Sequence, residues 1–211
     1  MKSRRILLAC GVVLLVVVLD QWLKFWIKTH FYIGEDFEIL PWFHLRFVQN
    51  PGMAFGMQLG SKLFLTLFRI LATAAGFWYI VRHCTRPSVP RGFLVCVALV
   101  VAGALGNIFD CVFYGEIFTD PMPPQVATLV PFGHGYGQLF YGQVVDMFYF
   151  PLFSFTWPGW LPWIGGQDFS FFDPVFNVAD AAISVGIIAI VLFYPGLIFT
   201  EKKESADSPE Q

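Results

Sequence analysis

The fold is decided by Ile6–Ile27, which reads ILLACGVVLLVVVLDQWLKFWI. The segment carries no charge before Asp20, and it is as long as the roughly 20 residues that cross a hydrocarbon core about 30 Å thick. Lipid offers no partner to backbone N–H and C=O groups, so a crossing segment must be helical. The segment therefore predicts a transmembrane helix with an acidic residue inside the bilayer.

Three further segments are apolar enough to cross a membrane, in a chain that is 56% hydrophobic and only 13% charged. A soluble domain carries about twice that share of charge. The four predicted spans are 6–27, 63–81, 92–110 and 176–199. The expected fold class is an all-α integral membrane protein with one four-span domain over residues 1–200. We expect residues 201–211 to form a disordered cytoplasmic tail.

The distribution of Lys and Arg predicts the orientation of the spans. Basic residues occur before the first span, between the second and third, and after the fourth, whereas the stretch from Tyr114 to Thr200 has neither Lys nor Arg. Cytoplasmic loops carry the excess of these residues. Both termini are therefore predicted in the cytoplasm, with the first and third loops facing outward.

The outward loops carry structure of their own. In the first loop, Phe43, Leu45 and Phe47 alternate with less apolar positions, which predicts a half-buried strand ending at the turn Asn50-Pro51-Gly52. The third loop, residues 114–175, is rich in Phe, Trp, Pro and Gly. Aromatic side chains favour the headgroup zone, so we expect this loop to lie at the outer membrane interface.

Acidic residues from separate spans are predicted at similar depth. At 1.5 Å per residue, Asp20 lies about 21 Å above the inner end of its span, Asp110 about 27 Å above, and Asp180 about 6 Å below the outer end. Asp146 lies in an outward loop but has apolar neighbours. Acids in the bilayer are costly and usually functional, so a site is predicted near the outer face.

Each acid also has a structural interpretation. Asp20 and Lys24 are four residues apart, and Asp110 follows Asn107 by three, so these groups could pair or bond between helices. Both interpretations stay open for Asp20 and Asp110. Asp180 has no basic neighbour in the sequence, which favours a catalytic role.

Composition and motifs exclude several classes of function. The net charge of −2 gives no indication of a nucleic-acid partner, and the four cysteines have neither disulfide nor metal-site spacing. The patterns His-Glu-x-x-His and Gly-x-Ser-x-Gly are absent. Two aspartates that share one proton can hydrolyse an amide without a metal or cofactor, so carboxylate chemistry is the chemistry that remains.

Five motifs, in this order along the chain, resemble those of the lipoprotein signal peptidases, a family of bacterial membrane aspartic proteases. They are Asp20-Gln21-x-x-Lys24, Asn50-x-Gly52-x-Ala54-Phe55, Gly103-x-x-Gly106-Asn107-x-x-Asp110, Val144-Val145-Asp146, and Phe176-Asn177-x-Ala179-Asp180-x-x-Ile183. Each motif alone is weak, whereas their ordered combination on a four-span frame is specific. The resemblance extends over roughly residues 1–200.

The resemblance implies a function and roles for residues. Asp146 and Asp180 would be the catalytic pair, and Asp20 and Lys24 would hold the first span to the others. The activity would be removal of the signal peptide from diacylglyceryl-modified prolipoproteins, just before the lipidated cysteine, at the outer face of the bacterial cytoplasmic membrane. A small outward β lobe is also implied. The remaining residues expected to shape or support the site are Asn50, Gly52, Asn107, Asp110 and Asn177.

The remaining expectations concern binding partners and the positions at which this sequence differs from the family pattern. We expect contact with lipidated precursors and membrane phospholipid, action as a monomer, and no cofactor or metal. Cys111 stands where the family commonly has arginine, and the segments 114–141 and 147–175 are longer than the family leads us to expect. The alternatives are a small proton-coupled transporter that uses Asp20, Asp110 and Asp180, and a non-enzymatic lipid-binding scaffold.

Overall fold

The helices follow the apolar segments of the sequence. The structure is a computed structural model that describes residues 2–51, 62–83, 86 and 88–199, so Gly52 and the expected tail lie outside the described residues. The helices are α1 (Lys2–His30), α2 (Lys62–His83), α3 (Arg91–Phe109), α4 (Gly115–Ile117), α5 (Val178–Phe193) and α6 (Pro195–Phe199), and a π-helical turn, Asp110–Tyr114, joins α3 to α4.

Two helical segments of the described chain, Arg4–His30 and Arg91–Ile117, are long and apolar enough to cross a membrane. Helix α2 is 22 residues long and coincides with the second predicted span. Within the fourth predicted span, 176–199, the structure has two helices instead of one continuous helix. Helix α5 ends before Tyr194 and α6 begins at Pro195, because proline lacks the N–H that would continue the first helix but suits the first turn of the next.

Helix α3 continues past its predicted end at Asp110. The π-helical turn and α4 extend it to Ile117. The turn buries Asp110, Cys111, Val112 and Tyr114. A charged residue at the end of an apolar run predicts the boundary of a span, but the ion pair of Asp110 with Lys24 lets the helix carry this carboxylate inside the protein.

One compact unit, called the helical unit, contains residues up to Leu19, Arg69–Gly106 and those from Val178 onward. Its helices α3 and α5 approach closely at glycines. A Cβ built on Gly103 would lie 2.2 Å from the carbonyl oxygen of Ala179, and one on Gly186 would lie 2.7 Å from that of Cys96. Small residues allow such contact between helix backbones in membranes, where packing rather than hydrophobicity drives association.

The second compact unit, called the sheet unit, contains Asp20–Phe68 and Asn107–Asn177. Its strands are β1 (Asp36–Leu40), β2 (Phe43–Asn50), β3 (Val144–Tyr149), β4 (Phe153–Thr156) and β5 (Asp168–Phe171). Strands β1, β2 and β3 form an antiparallel sheet in that order, and β4 pairs with β5. Strand β2 confirms the predicted strand of the first loop.

Strand β3 corrects the expectation that Asp146 lies in a loop. The residues around it are almost entirely buried, so they show the continuous apolar run of a covered strand rather than alternation. Phe148 and Phe176 exchange backbone hydrogen bonds of 2.7 and 3.0 Å, which fixes the chain just before α5 to the sheet.

A second buried lysine joins α1 to the core of the sheet unit. Lys28 is fully buried, donates a hydrogen bond to the amide oxygen of Gln49, and lies 5.0 to 5.7 Å from the ring centres of Phe47, Phe118 and Tyr136. The faces of these rings and one amide oxygen take the place of water around the buried ammonium group. Burial raises the pKa of the Tyr136 hydroxyl, which stays protonated and accepts the N–H of Gln143 at 2.7 Å.

We predict that Gly103→Ala destabilises the protein, because its methyl group would collide with the backbone of α5. Overpacking of this kind costs about 1–3 kcal/mol. Thermal unfolding in detergent measures the loss. Gly11→Ala is the matched control, since a Cβ at that position of α1 meets nothing within 4 Å. Equal stability of the two variants would contradict the close helix contact.

Candidate active site

A buried polar cluster lies in the sheet unit. It includes six of the residues predicted for the site, and five of these are at most 2% exposed, Asn107 being 7% exposed. Helices α1 and α3, the π-helical turn, strand β3 and the residue that precedes α5 contribute side chains. The members predicted from sequence are Asp20, Lys24, Asn107, Asp110, Asp146 and Asn177.

Lys24 is the cation of this cluster. Its ammonium lies 2.9 Å from a carboxylate oxygen of Asp20 and 2.8 Å from one of Asp110, and it donates a 2.9 Å hydrogen bond to the amide oxygen of Asn107. An ammonium has three N–H donors, so these three acceptors match its full capacity. The expected Asp20–Lys24 pair is therefore present, and Lys24 also joins α1 to α3.

Asp110 ties three elements together. Besides Lys24, its carboxylate accepts a 2.9 Å hydrogen bond from the side chain of Gln21 and a 3.3 Å bond from the backbone N–H of Val145. Tyr114, one turn further along the helix, donates its hydroxyl to the amide oxygen of Gln21 at 3.0 Å. These bonds fix α1, the π-helical turn and the start of β3 relative to one another.

Asp146 is held by an amide. Asn177 donates a 2.6 Å hydrogen bond from Nδ2 to Oδ1 of Asp146, and the same nitrogen lies 3.2 Å from Oδ1 of Asn107 and 3.3 Å from the carbonyl oxygen of Val145. In β3, Asp146 pairs with Val48 beside an irregularity in the register of β2. A chain of polar contacts thus runs from Lys24 through Asn107 and Asn177 to Asp146.

The other predicted site residues are Asp180, Asn50 and Gly52. Asp180 is half-buried in the first turn of α5, in the helical unit, where the helix dipole favours a carboxylate. Asn50 is the last residue of β2 and pairs with Val144. Gly52 lies outside the described residues. Among the described residues, no group of three or more His, Cys, Asp or Glu side chains could hold a metal ion.

Sequence reasoning missed two side chains and one backbone group of the cluster. Gln21 belongs to a recognised motif but was not assigned to the site, although it bridges Asp20 and Asp110 at 3.1 and 2.9 Å. Tyr114 follows Asp110 by four residues, a spacing that signals a shared helix face. The N–H of Val145 has no signature in sequence because any residue supplies it.

We predict that Lys24→Met strongly destabilises the protein, because it leaves two buried carboxyl groups without their cation. Breaking a buried ion pair on one side costs about 3–5 kcal/mol. Lys28→Met is the matched comparison, since that lysine contacts an amide and aromatic rings. Unfolding in detergent should show a much larger loss for Lys24→Met, and equal losses would argue against the ion-pair network.

Comparisons with known proteins agree with the resemblance. The Peptidase_A8 family model, described as Signal peptidase (SPase) II, matches residues 12–195. A lipoprotein signal peptidase of Porphyromonas gingivalis is 47% identical over 88% of this chain and 81% of that protein. One of Amoebophilus asiaticus is 37% identical over 95% of this chain and 80% of that protein.

Solved structures give the same fold. A structure described as a bacterial membrane enzyme, solved by the in meso method at 2.3 Å, covers 96% of this chain and 93% of its own, with a TM-score of 0.59 and 23% identity. A second, at 1.9 Å, covers 87% and 90% with a TM-score of 0.57 and 25% identity. The family match and the named relatives confirm the predicted peptidase activity over the transporter alternative, and the chain belongs to the signal peptidase II family of membrane enzymes.

Proposed function

We propose that this protein is an aspartic endopeptidase that removes the signal peptide from diacylglyceryl-modified prolipoproteins, just before the lipidated cysteine. Membership of the signal peptidase II family and relatives named lipoprotein signal peptidase support this substrate class. The observation that carries the mechanism is Asp146, a 2% exposed carboxyl group held by an amide donor within a buried polar network.

The proposed catalytic pair is Asp146 and Asp180. Asp180 follows Asn177 by three residues, so the chain keeps their Cα atoms within about 11 Å of each other, and Asn177 is the residue that bonds to Asp146. Two carboxyl groups brought close in a water-poor site share one proton, because both cannot ionise there.

In the proposed reaction, the ionised carboxylate takes a proton from water while the protonated carboxyl donates its proton to the carbonyl oxygen of the scissile bond. Water oxygen bonds to the carbonyl carbon and gives a neutral tetrahedral gem-diol. The carboxyl that took the water proton then passes it to the leaving nitrogen and the C–N bond breaks, while a gem-diol hydroxyl returns its proton to the other carboxylate as the C=O bond re-forms. The products are the signal peptide and the lipidated cysteine with a free amino group.

The supporting residues would keep this pair in place. Asn177 orients Asp146, and Asn107 links Asn177 to Lys24. Asp20, Lys24 and Asp110 hold α1 against the π-helical turn. Asn50 and Gly52 are assigned to the site from the family motif.

We propose the membrane arrangement that the sequence predicts. One four-span domain over residues 1–200 would cross the bacterial cytoplasmic membrane, with both termini inside. The site, the β lobe and the interfacial third loop would face outward. The lipid tails of the precursor would remain in the outer leaflet beside phospholipid, so the scissile bond would reach the aspartates without leaving the membrane. The protein would act as a monomer.

We predict that Asp146→Asn and Asp180→Asn each abolish most processing, because an amide can neither take the water proton nor donate a carboxyl proton. Loss of one acid–base group reduces rate by about 10²–10⁴-fold. A gel-shift assay with a purified diacylglyceryl precursor measures the loss. Asp120→Asn, an exposed carboxylate in the third loop, is the matched control and should keep full activity.

Thermal unfolding of the same variants separates chemistry from folding. Both Asn variants should unfold cooperatively, since an amide is nearly the size of a carboxyl group. Full processing by either of them would reject the assignment of that aspartate.

A further inference from the structure

The third loop contains a hairpin with one aromatic face. Strands β4 and β5 pair Phe153 with Phe171 and Phe155 with Phe169. Directly opposed residues lie on the same face of an antiparallel pair, so these four rings share a face. The pair of Thr156 and Asp168 comes directly after Phe155 and Phe169 and belongs to the opposite face, and the Thr156 hydroxyl donates to the Asp168 carboxylate at 2.7 Å.

The aromatic rings pack on one another yet remain open to the outside. Ring centres are 4.9 Å apart for Phe153 and Phe171 and 5.1 Å apart for Phe155 and Phe169, and Trp157 lies 4.8 Å from Phe155. Even so, Phe153 is 52% exposed and Phe171 is 47% exposed. A contiguous apolar face of this kind usually marks an interaction surface.

The tip of the hairpin presents two indoles. Trp160 is 79% exposed and Trp163 is 93% exposed. The tip is an ordered turn, since backbone hydrogen bonds of 2.9 Å connect Trp157 with Gln167 and Gly166. Trp163 has a φ of 67°, a region that is uncommon for residues other than glycine. The backbone accepts this conformation while presenting a large, nearly fully exposed aromatic side chain.

Charge and chain continuity identify the partner. Between Phe150 and Phe172 the sole charged residue is Asp168, on the polar side of the hairpin. Trp side chains concentrate where hydrocarbon meets water, because the ring is apolar and its N–H needs a polar partner. The chain after Phe171 enters α5 at Val178, an apolar helix of a membrane enzyme. In the proposed membrane arrangement, the hairpin is therefore tethered next to a lipid bilayer.

We propose that the β4–β5 hairpin, residues 153–171, is a membrane anchor that inserts its aromatic face and its two tip tryptophans into the headgroup region of a phospholipid bilayer. The inference deepens the interfacial placement of the third loop and rests on it. The hairpin lies in the chain between Asp146 and Asp180, so the anchor fixes the segment that connects the proposed catalytic residues to the membrane surface where the lipidated precursor resides.

Fluorescence quenching in proteoliposomes tests the anchor. The full-length protein and its Trp160→Phe/Trp163→Phe variant are reconstituted in phosphatidylcholine and phosphatidylglycerol vesicles. The difference between their emission spectra isolates the two tip indoles, and the exposed position of both side chains leaves the fold intact. We expect lipid brominated in its acyl chains to remove most of this difference emission, and aqueous iodide to leave it nearly unchanged.

Three results would overturn the anchor. Quenching by iodide without quenching by brominated lipid would place the tip in water. Protection from both quenchers with a dimer mass by light scattering would assign the face to a second copy. The same protection with a monomer mass would mean burial within the chain. Precursor cleavage is assayed on the same vesicles, so loss of cleavage with brominated-lipid quenching intact would reject the proposed function and leave the anchor standing.

Discussion

The sheet unit depends on the contacts that the ammonium group of Lys24 makes with Asp20, Asp110 and Asn107. Two carboxyl groups and one amide oxygen surround it with almost no solvent. A buried carboxylate is tolerated when a cation and hydrogen bonds replace its hydration. Because Lys24 supplies that cation, α1 can carry Asp20, the π-helical turn can carry Asp110, and β3 can begin beside them with its Val145 N–H on the same carboxylate.

Asn107 and Asn177 connect the Lys24 ion-pair cluster to Asp146 by hydrogen bonds, without adding charge. An amide both donates and accepts, so Asn107 accepts from Lys24 and Asn177 while Asn177 donates onward to Asp146. The catalytic role proposed for Asp146 requires a carboxyl group that can exchange protons, and a neutral amide donor is compatible with that role. Cys111, where the family commonly carries arginine, is buried and accepts the Gly142 N–H on its carbonyl, so cationic support for Asp110 comes from Lys24.

The sequence predicted features that depend on short-range spacing. The helical segments follow from the length and apolarity of their sequences, strand β2 follows from alternation, and the Asp20–Lys24 pair follows from a four-residue separation. It did not predict strand β3, because a strand covered on both faces loses its alternation. The predicted end of α3 is too early. A buried carboxylate that pairs with a lysine of another helix cannot be distinguished, in sequence alone, from a carboxylate at the membrane surface. Lys28 and its three rings come from distant segments, and no local pattern marks such a contact. The hairpin did leave a signal, since Phe153 and Phe155 alternate with polar residues, but its Pro and Gly content favoured an irregular loop.

The π-helical turn at Asp110–Tyr114 has a consequence for how this protein can change over evolution. A π turn holds one more residue than an α turn. Deleting a single residue there would restore regular α-helix and change which backbone carbonyl groups of the turn face Gly142. The backbone N–H of Gly142 now meets the carbonyl of Cys111, and a Cβ on Gly142 would lie 2.1 Å from the carbonyl oxygen of Asp110. The length of this turn is therefore constrained by backbone contacts with Gly142.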